Sequence, residues 1–177
     1  MVEEKKETWL NYLAITTVIF AVCATLSTLR GGSFSTRSVM SQSQASDQWS
    51  YFQAKSIKSY MYELHKERFE LELKSSRQPP AVQAEYEKKI AGYAQKIQVY
   101  DTEKTDIKKK AEGLELLRDE SQLHAAAFGV AAMFLQIGIL LSSIAALMKK
   151  KLFWFIGVGA GSLGLLYFCN GFFQFMK

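Results

Sequence analysis

Ser75-Ser76-Arg77-Gln78-Pro79-Pro80 contains the only two prolines of a 177-residue chain, and their adjacency decides how everything around them folds. Proline inside a helix removes a backbone donor and clashes with the preceding turn, so residues 75–80 form a turn between helices. Working outward, Ser35 to Arg77 is 43 residues and Pro80 to Leu123 is 44. Two helical arms of about 65 Å each, at roughly 1.5 Å per residue, therefore leave the turn and return over the same distance. That pattern predicts an antiparallel helical hairpin.

The return arm carries a regular period. Tyr86, Ile90, Tyr93, Ile97, Tyr100, Lys104, Ile107, Ala111, Leu114 and Arg118 alternate steps of four and three, the spacing of a coiled-coil seam. On the outgoing arm Ile57, Tyr60, Leu64 and Leu71 are the expected partners. A turn centred between Arg77 and Pro80 sets Leu71 opposite Tyr86, Leu64 opposite Tyr93 and Ile57 opposite Tyr100. A second stripe, Tyr51, Tyr62, Phe69 and Leu73, is then left in water by a lone hairpin, which favours self-association.

Farther out lie three windows without a single Asp, Glu, Lys or Arg: residues 8–29, 125–148 and 152–176. Each exceeds the roughly 20 apolar residues needed to cross a bilayer. A chain with 49% hydrophobic and 22% charged residues is unremarkable in total, but this segregation excludes a soluble protein. The expected class is all-α: a polytopic membrane protein with three transmembrane helices and a long antiparallel coiled-coil helical hairpin projecting from the membrane. Its parts are a short cytoplasmic N-terminus (residues 1–8), a first membrane helix (9–29), the hairpin (30–124, turn at 75–80), a second helix (125–148), a basic cytoplasmic loop (149–151) and a third helix (152–176). The first window is too long for a signal-peptide core and its start is not net positive, so an uncleaved anchor is expected.

Net charge is +5, yet residues 1–29 contribute −1, residues 30–124 contribute +2, and Lys149, Lys150, Lys151 and Lys177 supply +4. No basic face remains for nucleic acid. The Lys triplet in so short a loop orients a membrane protein with that loop cytoplasmic and the hairpin on the far side.

Within the windows small residues recur at helical spacing: Ala14, Thr17, Ala21, Ala24 and Thr28; then Ala125, Gly129, Ala132, Gln136, Ser143 and Ala146; then Gly157, Gly161, Gly164 and Gly171. Such stripes let membrane helices approach closely. Gln136 and Asn170 are the polar groups expected to hydrogen-bond neighbouring helices or to line a pore. Gly31 and Gly32 are expected to break the chain after the first membrane helix, with Ser33 or Ser35 capping a new one. Residues 33–50, with seven Ser and three Gln and few strong helix formers, either owe their helicity to packing or are partly irregular, and are expected to be a solvated spacer, with bending or a water-filled vestibule as the alternative.

Chemical motifs fail on context. Gly159-Ala160-Gly161-Ser162-Leu163-Gly164 fits a dinucleotide fingerprint but follows no strand and precedes no acid. His65 and His124 belong to opposite ends of the arms, and Cys23 and Cys169 lie inside apolar windows, so no metal or disulfide is implied. Glu63, Glu67, Glu70 and Glu72 interleave with Lys66, Arg68 and Lys74 as a solvated face. No catalytic set assembles, so no enzyme and no cofactor is expected. The expected partners are the bilayer and further copies of the chain.

Trp9-Leu10-Asn11-Tyr12-Leu13-Ala14, the run Val22 to Thr28 leading into Gly31-Gly32, Ser35-Thr36-Arg37-Ser38, and Gln44-Ala45-Ser46-Asp47-Gln48-Trp49 followed by Gln53-Ala54-Lys55-Ser56-Ile57-Lys58 resemble the bacterial membrane family called domain of unknown function 4337. The resemblance covers essentially the whole chain. It implies a Gram-negative inner-membrane protein and supplies neither an activity nor functional residues. The expectation is thus a non-enzymatic homo-oligomeric scaffold or tether, with a pore or mechanosensitive channel as the alternative.

Overall fold

A computed structural model describes residues 8–75 and 79–176. Three helices account for nearly all of them: α1 (Thr8–Ser75), α2 (Pro80–Met148) and α3 (Lys151–Phe173), with no strand among the described residues. Each contains a stretch long and apolar enough to cross a membrane. The chain divides into two compact units, one of Met1–Met40 with Arg118–Lys177, the other of Ser41–Leu117.

The diproline works as the sequence suggests. Pro79 O accepts from Val82 N–H (3.0 Å) and Gln83 N–H (3.1 Å), while Pro80 opens α2 where no donor is required. Residues 76–78 of the expected turn lie outside the described residues, as do residues 1–7 of the N-terminus. Between α2 and α3 the break is tight: Lys149 is left-handed (φ 52°), Lys150 is extended, and Lys151 already belongs to α3.

Gly31 and Gly32 do not interrupt α1, and no helix starts at Ser33 or Ser35; α1 runs unbroken through residues 33–50. No glycine has a positive φ. Gly31 serves closeness instead, since a Cβ there would stand 3.1 Å from Phe128 Cβ. Weak intrinsic propensity is overridden by packing, and hydroxyls fold back on the helix, as in Thr36 to Gly32 O (3.0 Å) and Ser50 to Ser46 O (3.0 Å).

In the second unit α1 and α2 are antiparallel, because rising numbers on α1 meet falling numbers on α2: Lys55 with Glu103, Tyr62 with Tyr93, Phe69 with Tyr86. On α2, Ile107 and Ala111 are buried and Tyr86, Ile90, Tyr93, Ile97, Tyr100 and Leu114 half-buried. On α1, Ala45, Ser41 and Ser59 are buried, with Phe52, Lys55, Tyr62, Phe69 and Leu73 half-buried.

The α1 side of the expected seam is therefore corrected. Ile57 (62% exposed), Tyr60 (63%), Leu64 (67%) and Leu71 (65%) face away from α2, although Lys104 Nζ stands 5.8 Å over the Tyr60 ring. At about 100° per residue they sit roughly opposite Tyr62 and Phe69 on α1. The aromatic face wins because its rings bury more area and stack between the α2 tyrosines. The expected offset holds to within about a residue: His65, not Leu64, lies against Tyr93.

In the first unit Phe20, Ala24 and Leu135 form the core, with Cys23, Ile139 and Leu165 against it. The α3 glycines receive large side chains from the other two helices. A Cβ on Gly161 would overlap the Phe20 ring, one on Gly164 would lie 2.7 Å from Leu135 Cγ, and one on Gly171 would lie 2.7 Å from Phe128. At Gly138 the backbones themselves touch, with Gly157 O 3.0 Å from the Cβ position. At most 28% of any apolar window is buried within the chain, so most of this surface faces whatever surrounds it.

Candidate functional site

The hairpin seam is an aromatic ladder dressed with cations. Tyr62 stands 5.7 Å from Tyr93 and 5.8 Å from Tyr100, and Phe69 stands 5.0 Å from Tyr86 and 6.0 Å from Tyr93. Lys96 Nζ lies 4.8 Å over Tyr62 and Lys89 Nζ 5.5 Å over Phe69, cations that α2 sets against the α1 rings. Lys55 closes the set, 2.6 Å from Glu103 Oε2 and 5.1 Å from the Tyr100 centroid. Its ammonium is held above the usual lysine range chiefly by that hydrogen bond to Glu103. Nearer the turn, Arg68 and then Tyr86 hydrogen-bond Glu72 and hold its carboxyl below the ordinary glutamate value; the same bond raises Tyr86. Trp49 Nε1 donates to Glu115 Oε1 (2.9 Å), a third cross-helix polar link. These contacts fix register and orientation.

Shallow grooves follow the ladder, one of about 650 Å³ bounded by Lys58, Met61, Tyr62, Tyr93 and Lys96. Among the described residues no three His, Cys, Asp or Glu converge on one point.

The expected membrane-packing residues divide. Gly157, Gly161 and Gly164 are buried in contact with α1 or α2. Ala14, Ala21, Gly129 and Gln136 are exposed, and a Cβ at Gly129 would meet nothing within 4 Å, so this part of the expectation is corrected. The α1 and α2 faces that do pack are Leu13, Phe20, Ala24 and Ser27 with Phe128, Ala131, Leu135 and Ser142. Bulky side chains lodge on α3 glycines there, whereas the sequence reading matched small residue to small residue.

Asn170 also differs from expectation. It is buried, but its Oδ1 accepts from Met176 N–H (2.7 Å) and its Nδ2 donates to Met176 O (3.3 Å), so it ties down its own C-terminal segment rather than another helix. Gln174, left-handed at φ 49°, completes this cap by donating its N–H to Asn170 O (2.8 Å). His124 supplies the link to α2: its Nδ1 is 2.7 Å from Gly171 O and its ring stacks on Phe34 at 4.6 Å. The His124 lattice was missed because Phe34, His124 and Gly171 carry no shared spacing. At the other end Trp9 and Trp154 lie 6.4 Å apart, and Trp154 Nε1 donates to Thr16 Oγ1 (3.2 Å).

Comparison with known families places the chain. Residues 9–174 match the family described as a domain of unknown function, DUF4337. The chain belongs to that family. No curated protein and no solved structure matches it. The match spans all three helices of this DUF4337 protein, so the hairpin and the apolar windows belong to one domain family.

Proposed function

We propose that this chain is a non-enzymatic, homo-oligomeric protein of the bacterial inner membrane, acting as a structural scaffold or tether. In this reading residues 9–29, 125–148 and 152–176 span the bilayer, Lys149, Lys150 and Lys151 lie on the cytoplasmic side, and the α1–α2 hairpin is periplasmic. The observation that carries it is the second apolar face of α1: Ile57, Tyr60, Leu64 and Leu71 stay exposed after the hairpin has closed on the opposite face. A hairpin with one apolar side left over gains by meeting another copy. Mass measurement of the full-length protein in mild detergent, corrected for bound detergent, tests this. Several chains per particle are expected, and a single chain overturns the reading.

A pore or mechanosensitive channel is the second reading, and Gln136 favours it. Its amide lies mid-window on α2 and is exposed within one chain, where hydrocarbon offers no hydrogen bond. Neighbouring copies would supply partners, or a water-filled axis would. Planar-bilayer recording under tension separates the two. Conductance that changes in Gln136→Leu supports the channel, and silence supports the scaffold.

A further inference from the structure

We infer that copies of this chain meet α1 against α1, in parallel and in register, through Ile57, Tyr60, Leu64 and Leu71. The inference rests on the homo-oligomeric reading and adds its surface, direction and register.

The surface follows from an asymmetry of the hairpin. Within Ser41–Leu117, α2 exposes only Val99 and Leu116 as large apolar side chains, amid Glu87, Lys88, Lys108, Lys109, Lys110 and Glu112. The outward face of α1 exposes four at positions spaced three, four and seven apart. A second copy that buries apolar area must therefore use α1, and by symmetry the same face of its own α1. Between Leu64, Arg68 and Leu71 that face is concave, with about 450 Å³ of open space for a knob from the facing helix.

The direction follows from the charges beside the stripe. With Ile57, Leu64 and Leu71 as one core row and Tyr60 and Glu67 as the other, Glu63 and Glu70 flank one side and Met61 and Arg68 the other. In a parallel, in-register pair a flanking residue faces the one five positions along the second copy, which places Glu63 opposite Arg68 of the second copy. The antiparallel arrangement instead sets Glu63 against Glu70, like against like. Arg68 Nε is bonded to Glu72 at 3.0 Å, but the side chain is 72% exposed and its remaining N–H groups are available to a second carboxylate. Glu67, the one charge inside the stripe, meets its own copy in this pair, and Arg68 of each chain lies next to the two carboxylates and offsets their repulsion. Closed rotational symmetry about an axis along the helices admits no stagger, which fixes the register.

The test uses the full-length chain in mild detergent with Cys23→Ala and Cys169→Ala and single cysteines added. Diamide should convert Leu64→Cys and Leu71→Cys chains to covalent dimers and leave Val99→Cys and Leu116→Cys monomeric. Mixing Ile57→Cys with Leu71→Cys chains should give no more cross-link than either alone; a marked excess overturns the parallel direction. Glu63→Arg and Arg68→Glu should each weaken association by roughly fivefold or more, and the double exchange should return it to within about twofold. Leu64, Arg68, Leu71, Val99 and Leu116 are exposed and Glu63 is half-buried, so far-ultraviolet circular dichroism of each variant is compared with the Cys23→Ala, Cys169→Ala parent and should match it. No cross-link at Leu64→Cys in particles that still contain several chains overturns this contact and leaves the homo-oligomeric reading standing. Particles of a single chain overturn both.

Discussion

Glycine has two different fates in this chain, and the difference is testable. Gly164 faces Leu135 so closely that an added Cβ would lie 2.9 Å from Leu135 N, which only a shift of the helix could relieve. Gly164→Val should therefore cost about 1–3 kcal/mol through overpacking, read as a lower melting temperature in detergent. Gly32 has open space around its Cβ position, so Gly32→Ala should be neutral or raise stability by about 0.5–1 kcal/mol, because alanine restricts the unfolded chain and favours helix. Sequence reading makes Gly32 a break and Gly164 a packing position, but both are helical, and what separates them is the side chain that another helix brings to Gly164 and not to Gly32. Glu72 gives a second residue-scale test. Arg68 and Tyr86 bind its ionised form, so its folded value lies below its unfolded one. The stability it contributes is present above the unfolded value and is lost as pH falls through the folded value. A carboxyl-detected NMR titration should place Glu72 below the ordinary glutamate value, and Arg68→Ala should move it upward.

At the scale of the element, α1 presents two apolar faces of opposite chemistry. The hairpin uses the aromatic one, so Tyr62→Ala should expose the seam and cost about 1–3 kcal/mol, seen as faster amide exchange at Ile97 and Ile107. Tyr60→Ala should leave that exchange unchanged within a single chain, as expected of a side chain 63% exposed. Charged residues in the α2 seam should be worse than truncation: Tyr93→Glu with Ile97→Glu should cost several kcal/mol and lower helicity. The α2 stripe was legible in the sequence because its period is unbroken from Tyr86 to Arg118. The α1 stripe was not, because Ser41, Ala45, Lys55, Ser59 and Lys66 interrupt the face that packs, and a hydropathy pattern ranks them below Ile57, Leu64 and Leu71. Serine and alanine pack there because helices can come close only over small side chains, and Lys55 because its ammonium pairs with Glu103 and stands over the Tyr51 and Tyr100 rings.

For the whole molecule, the proposed topology predicts that Ser76→Cys, in the connection between α1 and α2, reacts with an impermeant maleimide in intact spheroplasts, while a cysteine replacing Lys150 reacts only after lysis. The reverse pattern would invert the orientation without touching the helical hairpin. What the amino-acid order settled by itself is the part written in one dimension: three charge-free windows, a diproline that no helix can traverse, arms of equal length, and a family membership running from residue 9 to residue 174. These need no knowledge of neighbours, since hydrocarbon thickness and the geometry of proline act on a segment alone. Tertiary structure decided which face of α1 closes on α2, that Gly31 and Gly32 continue a helix, and that the α3 glycines are sockets for Phe20, Leu135 and Phe128. Each of those outcomes depends on the size and shape of a side chain arriving from elsewhere in the chain, and periodicity along one helix carries no record of what will be packed against it.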